Sequence, residues 1–552
     1  MSRRKFLPAV IVALSALFAF SCSSDEKEPD TPKVTPPTTI SIDNSSFNVA
    51  KKGGKVSFTV TSPARPTVNS DVKWVRVTDN GTYADYKAKI TVNVAENTSY
   101  DQRTGTLTVI SGALKGTVTI NQSGKDKPSI SSDTESLSLS NWEGEYSFKV
   151  TSPSKPDVSV SESWLKASSS DIDEAFSSTI TVSVEKNTGA ERYADIKLSA
   201  GGKTITVPVT QAKASSSEDY SKTLVTKNPI ENASRLYEYF LSIYGEKTVS
   251  GIMANVNWNQ TEADWVAKWT GSYPAFNTFD YIHLPFSPAN WIDYSELSPA
   301  VKYIDDGGFI AAGWHWNVPK KEGSADYTCS TSETTFRPSN ALKSGTWENK
   351  YIEADLAEMA SLLLLLQDKG IAVLWRPLHE AAGSIYVNSD WGAAWFWWGR
   401  DGGETYKALW KYMFDYFEKA GVRNLIWVWT TQTSSSSDFD GEFYPGDEYV
   451  DIIGRDIYNV TNPSECASQF NYVGSAFPGK MIALSECGNV PDMASQWNAG
   501  ARWLYFMPWY DYDNDGTENY AHQHATISWW KATYGCDAVV KREDLPSDLF
   551  SK

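Results

Sequence analysis

Residues 371–380 read IAVLWRPLHE, an apolar run of strand length that stops at His379 and Glu380. An amphipathic stretch from Ile352 to Lys369 precedes it, and another from Thr405 to Lys419 follows. Runs of this kind, separated by helix-period stretches, read as βα units. Working outward, similar runs fall at 248–253 (TVSGIM), 273–280 (YPAFNTFD) and 308–316 (GFIAAGWHW). Beyond it they fall at 424–430 (NLIWVWT), 450–458 (VDIIGRDIY), 480–488 (KMIALSECG) and 503–510 (WLYFMPWY). Eight such units predict a (β/α)8 TIM barrel over residues 220–552. A doubly wound open sheet is the competing topology, but no glycine-rich phosphate loop follows the first run.

Residues N-terminal to the barrel have a different period. Lys55 to Val60 (KVSFTV) and Glu145 to Val150 (EYSFKV) alternate apolar and polar residues, the signature of half-buried strands. They belong to an internal repeat. Gly54 matches Gly144, Thr61-Ser62-Pro63 matches Thr151-Ser152-Pro153, Trp74 matches Trp164 and Asn97 matches Asn187. Arg103 matches Arg192 and Gln122 matches Gln211 after a one-residue deletion. Two tandem immunoglobulin-like β-sandwiches are expected at 39–124 and 127–213, with a Ser-rich linker at 214–219. Trp74 and Trp164 lie inside strand-like patterns, which favours core packing over a sugar platform.

The first residues read as an export signal. Arg3, Arg4 and Lys5 precede an apolar run from Leu7 to Phe20 that is short for a bilayer span, and Ser21-Cys22 follows. This resembles a bacterial lipoprotein signal (1–22) with lipid on Cys22, although Ala19 stands where a Leu is usual. Asp25, Glu26 and Glu28 resemble the signal that carries some lipoproteins to the outer face of the outer membrane, and 23–38 reads as a tether. Cys329, Cys466, Cys487 and Cys536 form no CxxC, so a structural zinc site is not expected, and one or two disulfides are open to an exported chain. The net charge of −17 argues against nucleic acid. The 23 Trp, 28 Tyr and 22 Phe suit both cores and sugar faces.

In a barrel of this class, catalytic groups stand at the C-terminal strand ends. The fourth run ends in Glu380 and the seventh in Glu486-Cys487-Gly488. Two carboxylates over one mouth are what glycoside hydrolysis with retention needs, one as acid/base and one as nucleophile. Arg376, four residues before Glu380, would share its face and could keep a carboxylate ionised. Cys487 has no activating base in the sequence and reads as packing.

The motifs WRPLHE (375–380), WFWWG (395–399), YPGDEYVDIIGRDIY (444–458) and LSECG (484–488) resemble glycoside hydrolase family 26, in order across the whole barrel. The two repeats resemble BACON domains through KWVRV (73–77) with SWLKA (163–167), and TINQSG (119–124) with PVTQAK (208–213). The resemblance implies a retaining endo-β-1,4-mannanase acting on mannan, glucomannan or galactomannan. Glu380 would be acid/base and Glu486 nucleophile. His315, His379, Trp398, Tyr458, Trp509, Arg376 and Trp316 would serve the substrate, with Tyr458 donating to Glu486 and Trp509 forming the floor. A β-xylanase, a mixed-linkage β-glucanase and a non-catalytic surface glycan-binding protein are the alternatives. No cofactor or metal is implied, a monomer is expected, and the sandwiches are expected to act as spacers. The insertions 317–350 and 431–446 would shape the cleft.

Overall fold

The computed structural model describes residues 35–214, 219–255, 258–286, 292–385, 391–432, 438–512 and 520–550. Cys22, its signal run and most of the tether and linker lie outside these. The chain forms two compact units that divide after Lys127.

The first unit is a β-sandwich of two four-stranded sheets. One holds Ser41–Ile42, Gly54–Thr61, Lys87–Val94 and Val75–Asp79, and the other Ser46–Val49, Leu114–Gln122, Arg103–Ser111 and Thr67–Ser70. Alternate residues Phe58, Val60, Ile90, Val92, Leu107 and Val109 meet between the sheets, as a period-2 pattern requires. The second sandwich repeats this strand order in residues 131–211. The residues shared by the two repeats form one device. Arg103 lies over the Trp74 ring at 4.4 Å and donates to Gln122 at 2.9 Å, while Arg192 lies over Trp164 at 4.2 Å and donates to Gln211 at 2.8 Å. Both tryptophans therefore pack against their cores beneath an arginine.

The second unit continues into a closed barrel of eight parallel strands, as the eight runs predict. They are β1 Thr248–Met253, β2 Phe276–Asp280, β3 Phe309–Trp314, β4 Val373–Pro377, β5 Leu425–Gln432, β6 Ile452–Tyr458, β7 Met481–Gly488 and β8 Tyr505–Pro508. β8 pairs with β1 and closes the ring. Helices such as Trp347–Asp368 and Gly403–Ala420 cover the outside. Side chains alternate between the interior and the helices. Phe276, Phe309, Leu374, Val428, Ile452, Met481 and Tyr505 fill the interior towards the strand starts. The same alternation carried to the strand ends brings Asp280, His315, Arg376, Asp456 and Trp509 to the mouth. The barrel is thus apolar below and charged above.

The four later cysteines are all free thiols, so neither disulfide forms. Burial pushes the Cys487 thiol well above its usual range, which keeps it protonated and suits a packing role. No described helix is long and apolar enough to cross a membrane.

Candidate active site

Glu486 reaches the mouth through an irregularity of β7. Along β6 and β7, Arg455 faces Leu484 but Asp456 faces Glu486, so Ser485 is an extra residue. Strict alternation from Met481 and Ala483 would turn Ser485 inward and Glu486 outward. The bulge lets both face the site. Ser485 donates to Asp456 at 2.7 Å. Glu486 is ion-paired with Arg376 and accepts a 2.8 Å hydrogen bond from the Tyr458 hydroxyl. Burial, first, and then the charges of Asp456 and Glu380 raise the Tyr458 phenol well above its usual range, so it remains a donor.

Glu380 arrives by a different route from the one its spacing suggests. β4 stops at Pro377, and Leu378 and Glu380 take φ of 47° and 50°. These left-handed residues curl the chain over the strand end, a strained arrangement. It is held where the Tyr406 hydroxyl donates to the Leu378 carbonyl at 2.8 Å and Trp398 donates to the His379 carbonyl at 2.9 Å. Glu380 is 9% exposed. Burial, then the charge of Asp456 and a hydrogen bond to it, push its carboxyl well above the usual range.

Asp456 links the two glutamates. It is buried, lies 3.7 Å from Arg376, accepts from Ser485 and is hydrogen-bonded to Glu380. Burial raises its carboxyl too. Of the two, Glu380 is the acid held protonated: Arg376 and Arg455 favour both anions, but the bond between the two acids raises Glu380 and lowers Asp456, and Asp456 also accepts from Ser485.

His315 and His379 stand side by side, their rings 4.4 Å apart. The His315 ring and backbone N–H both bond to Asp280, the backbone at 3.0 Å. Burial opposes ionisation of Asp280, but His315 outweighs it and holds this carboxyl below its usual range. Burial, Arg376 and His315 together push His379 far below the ordinary imidazole value, so it is neutral. Trp509 is 8% exposed, with its ring 5.8 Å from that of His315.

Two expected sugar contacts are corrected. Trp316 does not line the cleft: it is fully buried, stacks on Trp314 at 4.1 Å and donates to Asp355 at 2.6 Å. Trp398 is fully buried as well, beneath Phe396 at 4.4 Å. The half-exposed Phe396 presents the ring beside His315 and His379 instead, at 5.5 and 5.0 Å. Sequence reading passed over Phe396, Asp280 and Asp456. The two aspartates carried a usable signal, since Asp280 ends the second run and Asp456 lies at even spacing from the buried Ile452. His522 is structural, with one nitrogen 3.2 Å from Glu262 and the other accepting from two backbone N–H groups. Among the described residues, no group of three or more His, Cys, Asp or Glu is placed to hold a metal ion.

A parallel eight-stranded barrel with two glutamates at the ends of β4 and β7, joined by an Arg–Asp bridge, defines a barrel hydrolase of the paired-carboxylate class. The model of glycosyl hydrolase family 26 matches residues 225–539, and the chain belongs to that family. The BACON domain model matches residues 65–123 and 153–212. A mannan endo-1,4-β-mannosidase of Thermothelomyces thermophilus is 33% identical over 297 residues, which cover 51% of this chain and 56% of that one. The chain thus spans about half the length of this curated relative. The GH26 domain of a Prevotella bryantii endo-β-mannanase/endo-β-glucanase superposes with a TM-score of 0.54 and 41% identity, covering 59% of this chain and 99% of that one. A β-mannanase from a symbiotic protist of the termite Reticulitermes speratus, in complex with gluco-manno-oligosaccharide, gives 0.50 and 33%, covering 60% and 99%.

Proposed function

We propose that this chain is a retaining endo-β-1,4-mannanase, with mannan, glucomannan or galactomannan as substrate. The observation that carries the reading is the unequal treatment of two glutamates at one mouth. Glu380 is kept protonated by burial and Asp456, while Glu486 is matched by the Arg376 cation and the Tyr458 hydroxyl. In the first step a Glu486 carboxylate oxygen attacks the anomeric carbon. The C–O bond to the leaving sugar breaks as Glu380 passes its proton to that oxygen. In the second step Glu380, now ionised, takes a proton from water, the water oxygen bonds to the anomeric carbon, and the Glu486 ester is released. Esterification cancels the Glu486 charge, which lowers the affinity of Glu380 for its proton when a base is needed. His315, His379, Phe396 and Trp509 serve the sugar beside the scissile bond.

Exposed rings support internal cleavage of a long chain. Phe286, Trp395 and Tyr512 are 40%, 47% and 61% exposed on the segments that follow β2, β4 and β8. Aromatic faces placed around the mouth give platforms for sugars away from the cleavage point. The names of the relatives favour mannan as the backbone.

The test is reducing-sugar release, with products sized, from galactomannan, glucomannan, xylan and barley β-glucan. Wild type should cut the mannans into mixed oligomers. Glu486→Ala should lose about 1,000-fold or more. Glu380→Ala should keep its first step only on aryl glycosides that need no acid. Cleavage of xylan or β-glucan alone would retain the carboxylate roles and replace the substrate. Binding without release would replace the enzyme by a glycan-binding protein. Export and anchoring belong to the same proposal, supported by the Arg3 to Cys22 pattern. Cys22→Ser should move the protein out of the outer-membrane fraction.

A further inference from the structure

The two repeats share strand order and core, yet the chain divides after Lys127 and not after the second sandwich. The reason lies in a few positions where the copies differ. At the offset of 90 residues, Lys52 corresponds to Trp142, Gly53 to Glu143, Val56 to Tyr146 and Glu96 to Lys186. Lys52 is exposed and Val56 half-buried, whereas Trp142 is 8% and Tyr146 1% exposed.

What buries the second set is the barrel. The Trp142 ring lies against Gly245, at φ 82°, where any Cβ would overlap it. The Tyr146 hydroxyl stands 2.6 Å from where a Cβ on Gly500, at φ 94°, would lie. A Cβ on Gly144 would come 3.0 Å from the Ala499 carbonyl, while the matching Gly54 has nothing within 4 Å. Polar groups complete the contact. Arg502, buried over the Trp497 ring, donates to the Glu143 carboxylate at 2.6 Å. The Ser140 backbone N–H donates to Asn471 at 2.9 Å. Lys186 covers the Trp142 ring at 4.2 Å and pairs with Glu246 at 3.2 Å. One apolar cluster runs from Phe148 and Val150 through Trp142 to Trp503 and Phe470.

Gly245 and Glu246 lie between the helix Glu231–Ile243 and β1, and Ala499 to Arg502 between the helix Met493–Asn498 and β8. Such helix-to-strand connections form the end of the barrel opposite its mouth. We propose that the second sandwich is built into the catalytic unit, seated against these connections and along the helix Pro463–Ala476: its Trp142/Glu143/Tyr146 surface is an intramolecular docking surface for the barrel, and the two unfold as one. This face is therefore not a free binding surface. The inference stands on packing alone and does not depend on the substrate or on the reaction.

The test replaces the docking residues in the full chain by those of the first repeat, Trp142→Lys with Tyr146→Val, and follows unfolding by calorimetry. Wild type should show one transition for the first sandwich and one for residues 128–552. The variant should split the larger transition or lower it by about 5 °C or more, while glycan hydrolysis at 25 °C persists. A separate transition for the second sandwich in wild type, or a variant transition within about 1 °C of wild type, would overturn the proposal. Should the variant not fold, hydrogen exchange on wild type decides. Amides of Gly144–Thr151 should share the slowest opening with those of β8, and an independent, cheaper opening of the sandwich would sink the idea.

Discussion

After burial, Asp456 is the group that does most to hold the proton on Glu380. Its buried charge and hydrogen bond disfavour ionised Glu380, so removing them must lower that carboxyl's affinity for its proton. Asp456→Asn should therefore move the alkaline limb of the kcat/KM profile to lower pH, because the acid is lost sooner as pH rises. An unmoved limb would assign that ionisation to another group. Tyr458 contributes a single hydrogen bond to a charged acceptor, worth about 1.5–3 kcal/mol. Tyr458→Phe should then reduce kcat about 10- to 100-fold, with the same protein fold by circular dichroism. His379 is already neutral across the working range, so the acidic limb should survive His379→Asn unchanged in position.

At the scale of elements, the end of β7 illustrates how backbone shape aims a side chain. The bulge at Ser485 turns Glu486 inward, and Gly488 two residues later leaves room for the partner of Glu486. A Cβ on Gly488 would come 2.8 Å from the Tyr458 ring and would strike the His524 ring on the other side. Gly488→Ala should push Tyr458 off Glu486 and lower kcat by about tenfold or more, with unfolding temperature changed less than for a core substitution. Equal loss of stability and activity would mean that the glycine serves packing only. The segment after β4 works by another device. Its two left-handed residues are tied from behind by Tyr406 and Trp398, so the tryptophan expected to grip sugar instead anchors the loop that carries Glu380.

On the scale of the whole molecule, burial of carboxylates outside the active site sets a pH dependence of stability. Asp355, beneath Trp316 and beside Tyr351, is raised from 3.8 to about 7 chiefly by burial, and Glu358 nearby adds to the shift. A carboxyl whose folded value lies above its unfolded one holds its proton more tightly when folded. Its stabilisation is complete below about 3.8 and is lost as pH rises through 7. The unfolding temperature of the barrel should therefore fall between about pH 4 and 7, and Asp355→Asn should flatten that slope in calorimetric scans. An unchanged slope would place the dependence elsewhere, for instance on Asp451, which burial also raises to about 7.

Much of this protein was readable along the chain. Eight apolar runs, each with the right length and spacing, determined the barrel, because a strand buried on both faces must be apolar wherever it meets helices and interior. Polar residues at or near the ends of those runs marked Glu380, Glu486 and Arg376, since a barrel exposes only its strand ends to substrate, and the family resemblance added His315, Tyr458 and Trp509. The 90-residue repeat determined two sandwiches. Tertiary structure decided what periodicity cannot express. A one-residue bulge faces Glu486 inward, and positive φ at Leu378 and Glu380 brings the Glu380 carboxyl over the mouth. Among the adjacent tryptophans 314, 316, 397 and 398, all are buried, because which aromatic meets solvent depends on the layers packed behind it. Asp456 acquires its role only where strands β4, β6 and β7 converge. The different standing of the two repeats likewise rests on four side chains that meet barrel loops from 60 to 359 residues away along the chain, a complementarity of surfaces that no local pattern records.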